Sequence, residues 1–367
     1  MKEIGYLQSE EQEVVTMWAG RSGLVVWLVV LCFWTGTIQA AEQGEIYGWG
    51  SQKLPNDPLV DVSQIAAGGG HSLALKSDGS IIGWGLDAWW SQATPPVGND
   101  FVAIAAGGSH SLAIKLDGSI VEWGYDGYDL SNPPEGNDYV AISAGFLHSL
   151  ALRSDGSIVG WGNDYYDQAS PPGGKGFIAI AAGGGHSLAI KSDGSIVGWG
   201  RNDDGQATPP AGNDFVAIAA GEVHSLALKS DGSIVGWGSD YYGLSSPPVG
   251  NDFVAIAAGE EHSLALKSDG SIVGWGWDGY GQASPPLGND FVAIAAGGYH
   301  SLAVRSGGGR RHEALGTSGE KSEVRSQEER GRTTWGADLR SGRSGVREGK
   351  RGEGEIGKKA DKIGNVC

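Results

Sequence analysis

Apolar and polar positions along this chain fall into one short pattern that returns many times. Its fullest copy reads FVAIAAGEEHSLALKSDGSIVGWG, from Phe253 to Gly276. An apolar run stops at glycine. In the next run, HSLALK, His262, Leu264 and Leu266 share one side, and Ser263 and Ala265 the other. That alternation is a β-strand's, here with both faces able to be covered. Asp269-Gly270 marks a tight hairpin, because glycine takes positive φ at no steric cost. The returning run SIVGWG puts Val273 and Trp275 on one side. A linker follows whose Pro-Pro pair cannot sit in a central strand. Each unit therefore predicts three antiparallel strands, with room for a short fourth.

The period can be counted. The histidine stands at His71, His110, His148, His186, His224, His262 and His300, one step of 39 residues and five of 38. The Trp-Gly pair stands at Trp49, Trp84, Trp123, Trp161, Trp199, Trp237 and Trp275. Sheets that are apolar on both faces need a neighbour on each side, and radial repetition in a β-propeller supplies it. The Ala-rich strand suits the crowded axis, and the tryptophans suit the wider spaces between blades. The two ends are complementary: Glu45–Gly50 has no His strand before it, and the last His strand, ending at Arg305, has no Trp-Gly strand after it. Pairing 45–50 with 300–305 closes the ring and leaves no open edge. The expected fold is all-β, a seven-bladed propeller over residues 41–305.

The ends differ. Leu24 to Trp34 is an apolar run of eleven residues, with Arg21 before it and small residues after it. It is too short to cross a bilayer. Residues 1–40 are expected to be a signal peptide cut after Ala40, so that the mature chain is secreted or periplasmic and meets a membrane only during export. The acids between Glu3 and Glu13 make Met17 an alternative start, and a retained anchor is the alternative to cleavage. Cleavage would remove Cys32 and leave Cys367 alone, with no internal disulfide. From Ser306 the pattern stops. The tail, 306–367, has 14 Lys/Arg, 10 Asp/Glu and few apolar residues, and is expected to be disordered. It is either a basic arm or the product of a shifted reading frame.

Composition narrows the function. Glycine is 64 of 367 residues without a G-X-Y period, which excludes collagen. The formal net charge is −17, and residues 41–305 alone carry −19. Such acidity argues against nucleic acid as a partner. Two cysteines exclude a four-cysteine zinc site.

The unit AAGxxHSLALKSDGSIVGWG resembles the repeat of the regulator of chromosome condensation family, and the resemblance covers Gly44 to Arg305. It implies a seven-bladed propeller. The compact unit looks most like secreted bacterial members of that family, among them β-lactamase inhibitors. Function transfers less readily than fold. The founding member exchanges nucleotide on the Ran GTPase, partly through a wedge insertion, for which the even spacing here leaves no room. A plant photoreceptor of the family uses Trp and Arg together, and Arg is nearly absent from the matching segments here.

Comparing the copies within the chain separates scaffold from surface. Two segments vary: the pair before each His, and the residues after each Trp-Gly. Strand direction brings both to one end of the propeller and the uniform Asp-Gly turns to the other. The variable end is expected to carry Trp89, Trp90, Tyr125, Tyr128, Tyr165, Tyr166, Tyr241, Tyr242, Trp277 and Tyr280, with Asp87, Asp126, Asp164, Asp203, Asp204, Asp240 and Asp278. Aromatics among acids suit protein recognition, and stacked aromatics also suit a polysaccharide. The alternative is that these side chains only pack their own loops. The seven repeat histidines, one per blade, are too far apart to share a metal ion and are expected to hold their loops by hydrogen bonds. The acids of Asn202-Asp203-Asp204 lack EF-hand spacing. No residue departs from its copies as a lone catalyst would, so no enzyme, metal or cofactor is expected. The expected function is an extracytoplasmic protein-binding module. Alternatives are an inhibitor of an extracytoplasmic enzyme, a carbohydrate-binding propeller, or a nucleotide exchange factor.

Overall fold

The computed structural model describes residues 44–306, apart from 53, 56–58, 89 and 131. The expected signal peptide, the tail beyond Ser306 and Trp89 lie outside the described residues.

The described chain forms 21 strands in seven three-stranded antiparallel sheets. β1 is Glu45–Gly50. Blades 1 to 6 are β2 (Val62–Ala67), β3 (His71–Lys76), β4 (Ile81–Gly85); β5 (Phe101–Ala106), β6 (His110–Lys115), β7 (Ile120–Gly124); β8 (Tyr139–Ala144), β9 (His148–Arg153), β10 (Ile158–Gly162); β11 (Phe177–Ala182), β12 (His186–Lys191), β13 (Ile196–Gly200); β14 (Phe215–Ala220), β15 (His224–Lys229), β16 (Ile234–Gly238); and β17 (Phe253–Ala258), β18 (His262–Lys267), β19 (Ile272–Gly276). Blade 7 is β20 (Phe291–Ala296), β21 (His300–Arg305) and β1. β1 pairs with β21 from Glu45–Arg305 to Gly50–His300, as the complementary ends predicted. Each Ala-rich strand neighbours the next around the ring, and β2 meets β20. No fourth strand forms among the described residues; the Pro-Pro linkers are turns and bends, two of them with a single 3-10 turn each.

The period-two reading places the core correctly. Leu73 and Leu75 face blade 2, packing with Phe101, Ile104 and Ala113, while Ala74 faces blade 7 with Ile46 and Val304. The Asp-Gly hairpins form as expected. Gly79 takes φ +81°, and a Cβ there would stand 2.3 Å from the Asn99 carbonyl oxygen. Asp78 Oδ1 accepts from the Ser80 amide at 2.9 Å and hydroxyl at 2.6 Å.

The histidines differ from expectation in what they bind. They join blades. His71 Nε2 lies 2.8 Å from Ser111 Oγ in the next blade, and the bond recurs at every seam to His300 and Ser72, at 2.7–2.9 Å. The serine fixes the tautomer. Ser111, Ser187, Ser225 and Ser301 donate their hydroxyl hydrogens at 2.9 Å to the carbonyls of Gln92, Gln168, Gln206 and Gln282. A spent serine hydrogen leaves only an acceptor, so His Nε2–H donates and Nδ1 is bare. All seven Nδ1 atoms are buried without a partner. The same Gln carbonyls accept Trp123, Trp199, Trp237 and Trp49 Nε1 at 2.8–3.0 Å. One linker carbonyl thus clips each of these four linkers to the blade after it.

Ser187→Ala should leave the His148 donor buried and unpaired, costing about 2 kcal/mol. Urea unfolding followed by tryptophan fluorescence would measure it; an unchanged midpoint would mean that the seam bond contributes nothing.

Candidate functional site

The two variable segments do meet at one end. The residue after each Trp-Gly donates its amide to the carbonyl just before the repeat histidine: Leu86 to Gly70, Tyr125 to Ser109, Asn163 to Leu147, Arg201 to Gly185, Ser239 to Val223, Trp277 to Glu261 and Ser51 to Tyr299, at 2.7–2.9 Å. The Asp-Gly turns ring the opposite end.

Nine aromatic side chains are exposed among the described residues: Trp90, Tyr128, Phe146, Tyr165, Tyr166, Tyr241, Tyr242, Tyr280 and Tyr299. All nine follow a Trp-Gly or precede a repeat histidine, so all stand at the variable end. Tyr165 is 82% exposed. Tyr125 and Trp277 are half-buried against their neighbours. The rings form three groups. Trp90 packs edge-on to Tyr125 at 4.8 Å, and Tyr165 edge-on to Tyr166 at 4.8 Å. The third group runs over blades 5 to 7: Tyr241–Tyr242 at 4.1 Å, Tyr242–Trp277 at 6.5 Å, and Trp277, Tyr280 and Tyr299 mutually at 5.4–5.6 Å.

The predicted acids have local work. Asp87 accepts from the Ala93 amide at 2.8 Å and the Thr94 hydroxyl at 2.6 Å. Asp164 holds Ala169 and Ser170, Asp240 holds Ser245 and Ser246, and Asp278 holds Ala283 and Ser284 in the same way. Asn202 takes this place in blade 4, holding the Ala207 amide. Asp203 instead receives Arg201 Nε at 2.8 Å. The Asp204 amide donates to the Gln206 side chain at 3.0 Å. Asp126 precedes the short turn Gly127–Asp129 in blade 2.

Several residues outside the expected set stand at this end beside Tyr165 and Tyr166. Phe146, Leu147, Tyr165, Tyr166 and Arg201 line a cleft of about 260 Å³ between blades 3 and 4. Arg201 lies 5.9 Å from the Tyr166 ring centre. Glu222 and Glu260 rim the axial opening beside Gly69, Gly108, Gly184 and Gly298. Burial, with Glu222 and Glu261 adding to it, pushes the Glu260 carboxyl up to about 7. Glu222 is raised by burial and by Glu261. For three of them the signal was present, since Phe146, Glu222 and Glu260 stand where the other four copies have glycine.

Charge divides between the ends. Lys76, Lys115, Arg153, Lys191, Lys229, Lys267 and Arg305 finish the middle strands at the turn end. Several pair there, as Lys229 does with Asp214 at 3.1 Å and Arg305 with Asp290 at 2.6 Å. Arg201 is the one described cation at the aromatic end.

Comparison with known proteins agrees with this architecture. The family model for the regulator of chromosome condensation (RCC1) repeat matches residues 62–88, 139–168, 177–206, 215–244 and 253–282. A comparison with curated proteins finds no match. Among solved structures the chain is similar to Prp20p of Saccharomyces cerevisiae, described with its binding to Gsp1p and histones, at 18% identity and TM-score 0.61, over 75% of this chain and 93% of that one. It is similar to human WBSCR16 at 17% identity and TM-score 0.58, over 72% and 99%. It is also similar to the ectodomain of the Arabidopsis thaliana receptor kinase ACR4, at 22% and 0.55, over 67% and 94%. At these identities the likeness establishes the fold alone. With seven copies of one repeat closed into a ring, the chain belongs to the RCC1-repeat propellers.

Proposed function

We propose that this propeller is an extracytoplasmic binding module that engages a protein partner through its aromatic, acidic end. One observation carries the reading: every exposed aromatic ring among the described residues stands at that end, and none at the other. Monomeric proteins seldom gather exposed apolar area in one place without using it. Tyr and Trp supply rigid, amphipathic contact area at low entropic cost. The scaffold beneath is joined at every seam, so the rings are held in place before a partner arrives.

The extracytoplasmic setting rests on the expected signal peptide. Inhibition of an extracytoplasmic enzyme is the more specific form of the same reading.

The test is affinity capture with the full chain, comparing wild type with Trp90→Ala/Tyr165→Ala/Tyr166→Ala. These side chains are exposed and no blade seam uses them, so folding should survive. A protein retained by wild type should fall at least tenfold with the variant, by surface plasmon resonance. Equal binding of that protein to both would overturn the face assignment. Retention on a polysaccharide column, lost in the variant, would replace protein with carbohydrate.

A further inference from the structure

The third aromatic group differs from the other two in its surroundings. Two carboxylates from the loop before β18, Glu260 and Glu261, stand among its rings. Glu260 raises the Tyr299 hydroxyl and hydrogen-bonds to it, with Glu261 adding to the rise, and Tyr242 is raised by its hydrogen bond with Tyr241 and, to a lesser extent, by Glu261. Glu260 also reaches across the axial opening: a Cβ on Gly298 would stand 2.9 Å from its Oε1, and one on Gly69 3.4 Å. No described basic residue belongs to this end of blades 5, 6 or 7. The cation of blade 4, Arg201, is committed through Nε to Asp203 at 2.8 Å. Burial and Glu261 raise Glu222 while Arg201 draws it down, whereas Glu260 is pushed up by burial and by Glu222 and Glu261 with no described cation acting on it.

Aromatic rings and carboxylates call for the same thing from a ligand. The negative ring faces attract an organic cation, and the carboxylates neutralise it. We propose that the group formed by Tyr242, Trp277, Tyr280 and Tyr299, with Glu260 and Glu261, receives an arginine or lysine side chain from a basic segment of the protein partner. This deepens the function proposed above and rests on it. Charge selects the occupant. The end as a whole is acidic, and the described basic residues of the propeller are otherwise gathered at the far end. A neutral apolar segment would leave the carboxylates desolvated and unpaired, and an acidic one would be repelled. Trp277 gives the largest ring, and its edge-on contacts with Tyr280 and Tyr299 at 5.4 and 5.5 Å hold three differently oriented rings together.

The experiment titrates the full chain with a capped tetra-arginine peptide by isothermal calorimetry, with capped tetracitrulline as the isosteric neutral control. Four proteins are compared: wild type, Tyr280→Ala, Glu260→Gln/Glu261→Gln, and Tyr165→Ala/Tyr166→Ala. Wild type should bind tetra-arginine and not tetracitrulline. Tyr280→Ala keeps every charge, and should still weaken binding by roughly tenfold through the lost ring face. The double glutamine variant should weaken it further, and the blade 3 variant should leave it unchanged. Equal binding of tetracitrulline overturns the proposal. So does wild-type affinity in Tyr280→Ala, which would reduce the effect to diffuse electrostatics. Capture that is lost in the Trp90/Tyr165/Tyr166 variant without any tetra-arginine binding would sink this inference and leave the binding face standing.

Discussion

Acidification should unfold this propeller abruptly between about pH 4 and 6, with several protons taken up together. The seven seam histidines are the cause. Burial holds each neutral, down to about 4 at His71 and His300 and about 3 at the other five. Geometry gives the reason. Nε2–H is used by a serine, so a second proton must enter at Nδ1, which is buried and faces no acceptor. In the unfolded chain the same imidazoles titrate near 6.5. Their folded values are depressed, so the stability they contribute is complete above 6.5 and lost as the pH falls toward 4. Each group loses about 1.4 kcal/mol per pH unit in that window. Seven together would lose about 14 kcal/mol by pH 5, comparable with the whole stability of a typical domain. Glu122 and Glu260, whose folded values are raised, oppose this by taking up protons in the folded state. The net uptake should therefore be about five or more protons. Circular dichroism against pH, with proton uptake by potentiometry, measures both quantities. A propeller still folded at pH 3.5, or uptake of only one or two protons, would show that the seams accept charged imidazole.

Why these histidines bind across blades, and not within their loops, was beyond the sequence. The repeat shows that all seven do the same thing, but not that Ser111 stands opposite His71, because their contact joins residues one period apart. What the period did reveal was topology. Antiparallel strand direction alone placed both variable segments at one end, and the incomplete units at Gly44 and Arg305 specified the seventh blade. The predicted acids illustrate a rule applied incompletely. Identity among copies signals scaffold, and Asp164, Asp240 and Asp278 each stand five residues before the amide they hold. Asp87 stands six before its own, because blade 1 carries the one extra residue of the 39-residue step. Recurrence of Asp with Ala or Ser at that interval marked a loop cap. The glutamates at 222, 260 and 261 had no such recurrence, and the structure places them beside the rings. Exposure could not be read from residue type either, since Trp277 and Trp90 differ only in what packs against them.

The largest departure from the repeat lies inside the protein, at Glu122, and replacing it with glutamine should stabilise the propeller. The other complete blades have glycine there, because a Cβ at Gly83 or Gly160 would stand 2.1–2.2 Å from the Ala93 or Ala169 carbonyl oxygen. In blade 2 the glutamate side chain takes over the task of the linker carbonyl. Its Oε2 accepts Trp161 Nε1 at 2.7 Å, and Ser149 hydrogen-bonds to the same carboxyl. The side chain is 1% exposed, and Oε1 lies 3.8 Å from His110 Nε2. Burial pushes this carboxyl up to about 8, with the Trp161 and Ser149 bonds pulling the other way. An unfolded glutamate titrates near 4.3. The folded value is raised, so the group favours the fold fully below about 4 and progressively less up to 8. A glutamine presents the same acceptor and needs no proton. Glu122→Gln should therefore gain about 2 kcal/mol at pH 6 and about 5 at pH 8, with a slope near 1.4 per pH unit that flattens toward pH 8. Urea midpoints at pH 6, 7 and 8 give the slope directly. A difference independent of pH would mean that Glu122 is ionised in the fold and that His110 has become its counter-ion. Glu122→Gly, which restores the repeat's own solution, should abolish the same pH dependence. With the histidines failing on the acid side and Glu122 on the alkaline side, these buried groups place the wild-type stability maximum near pH 7, and removing Glu122 alone should move it upward.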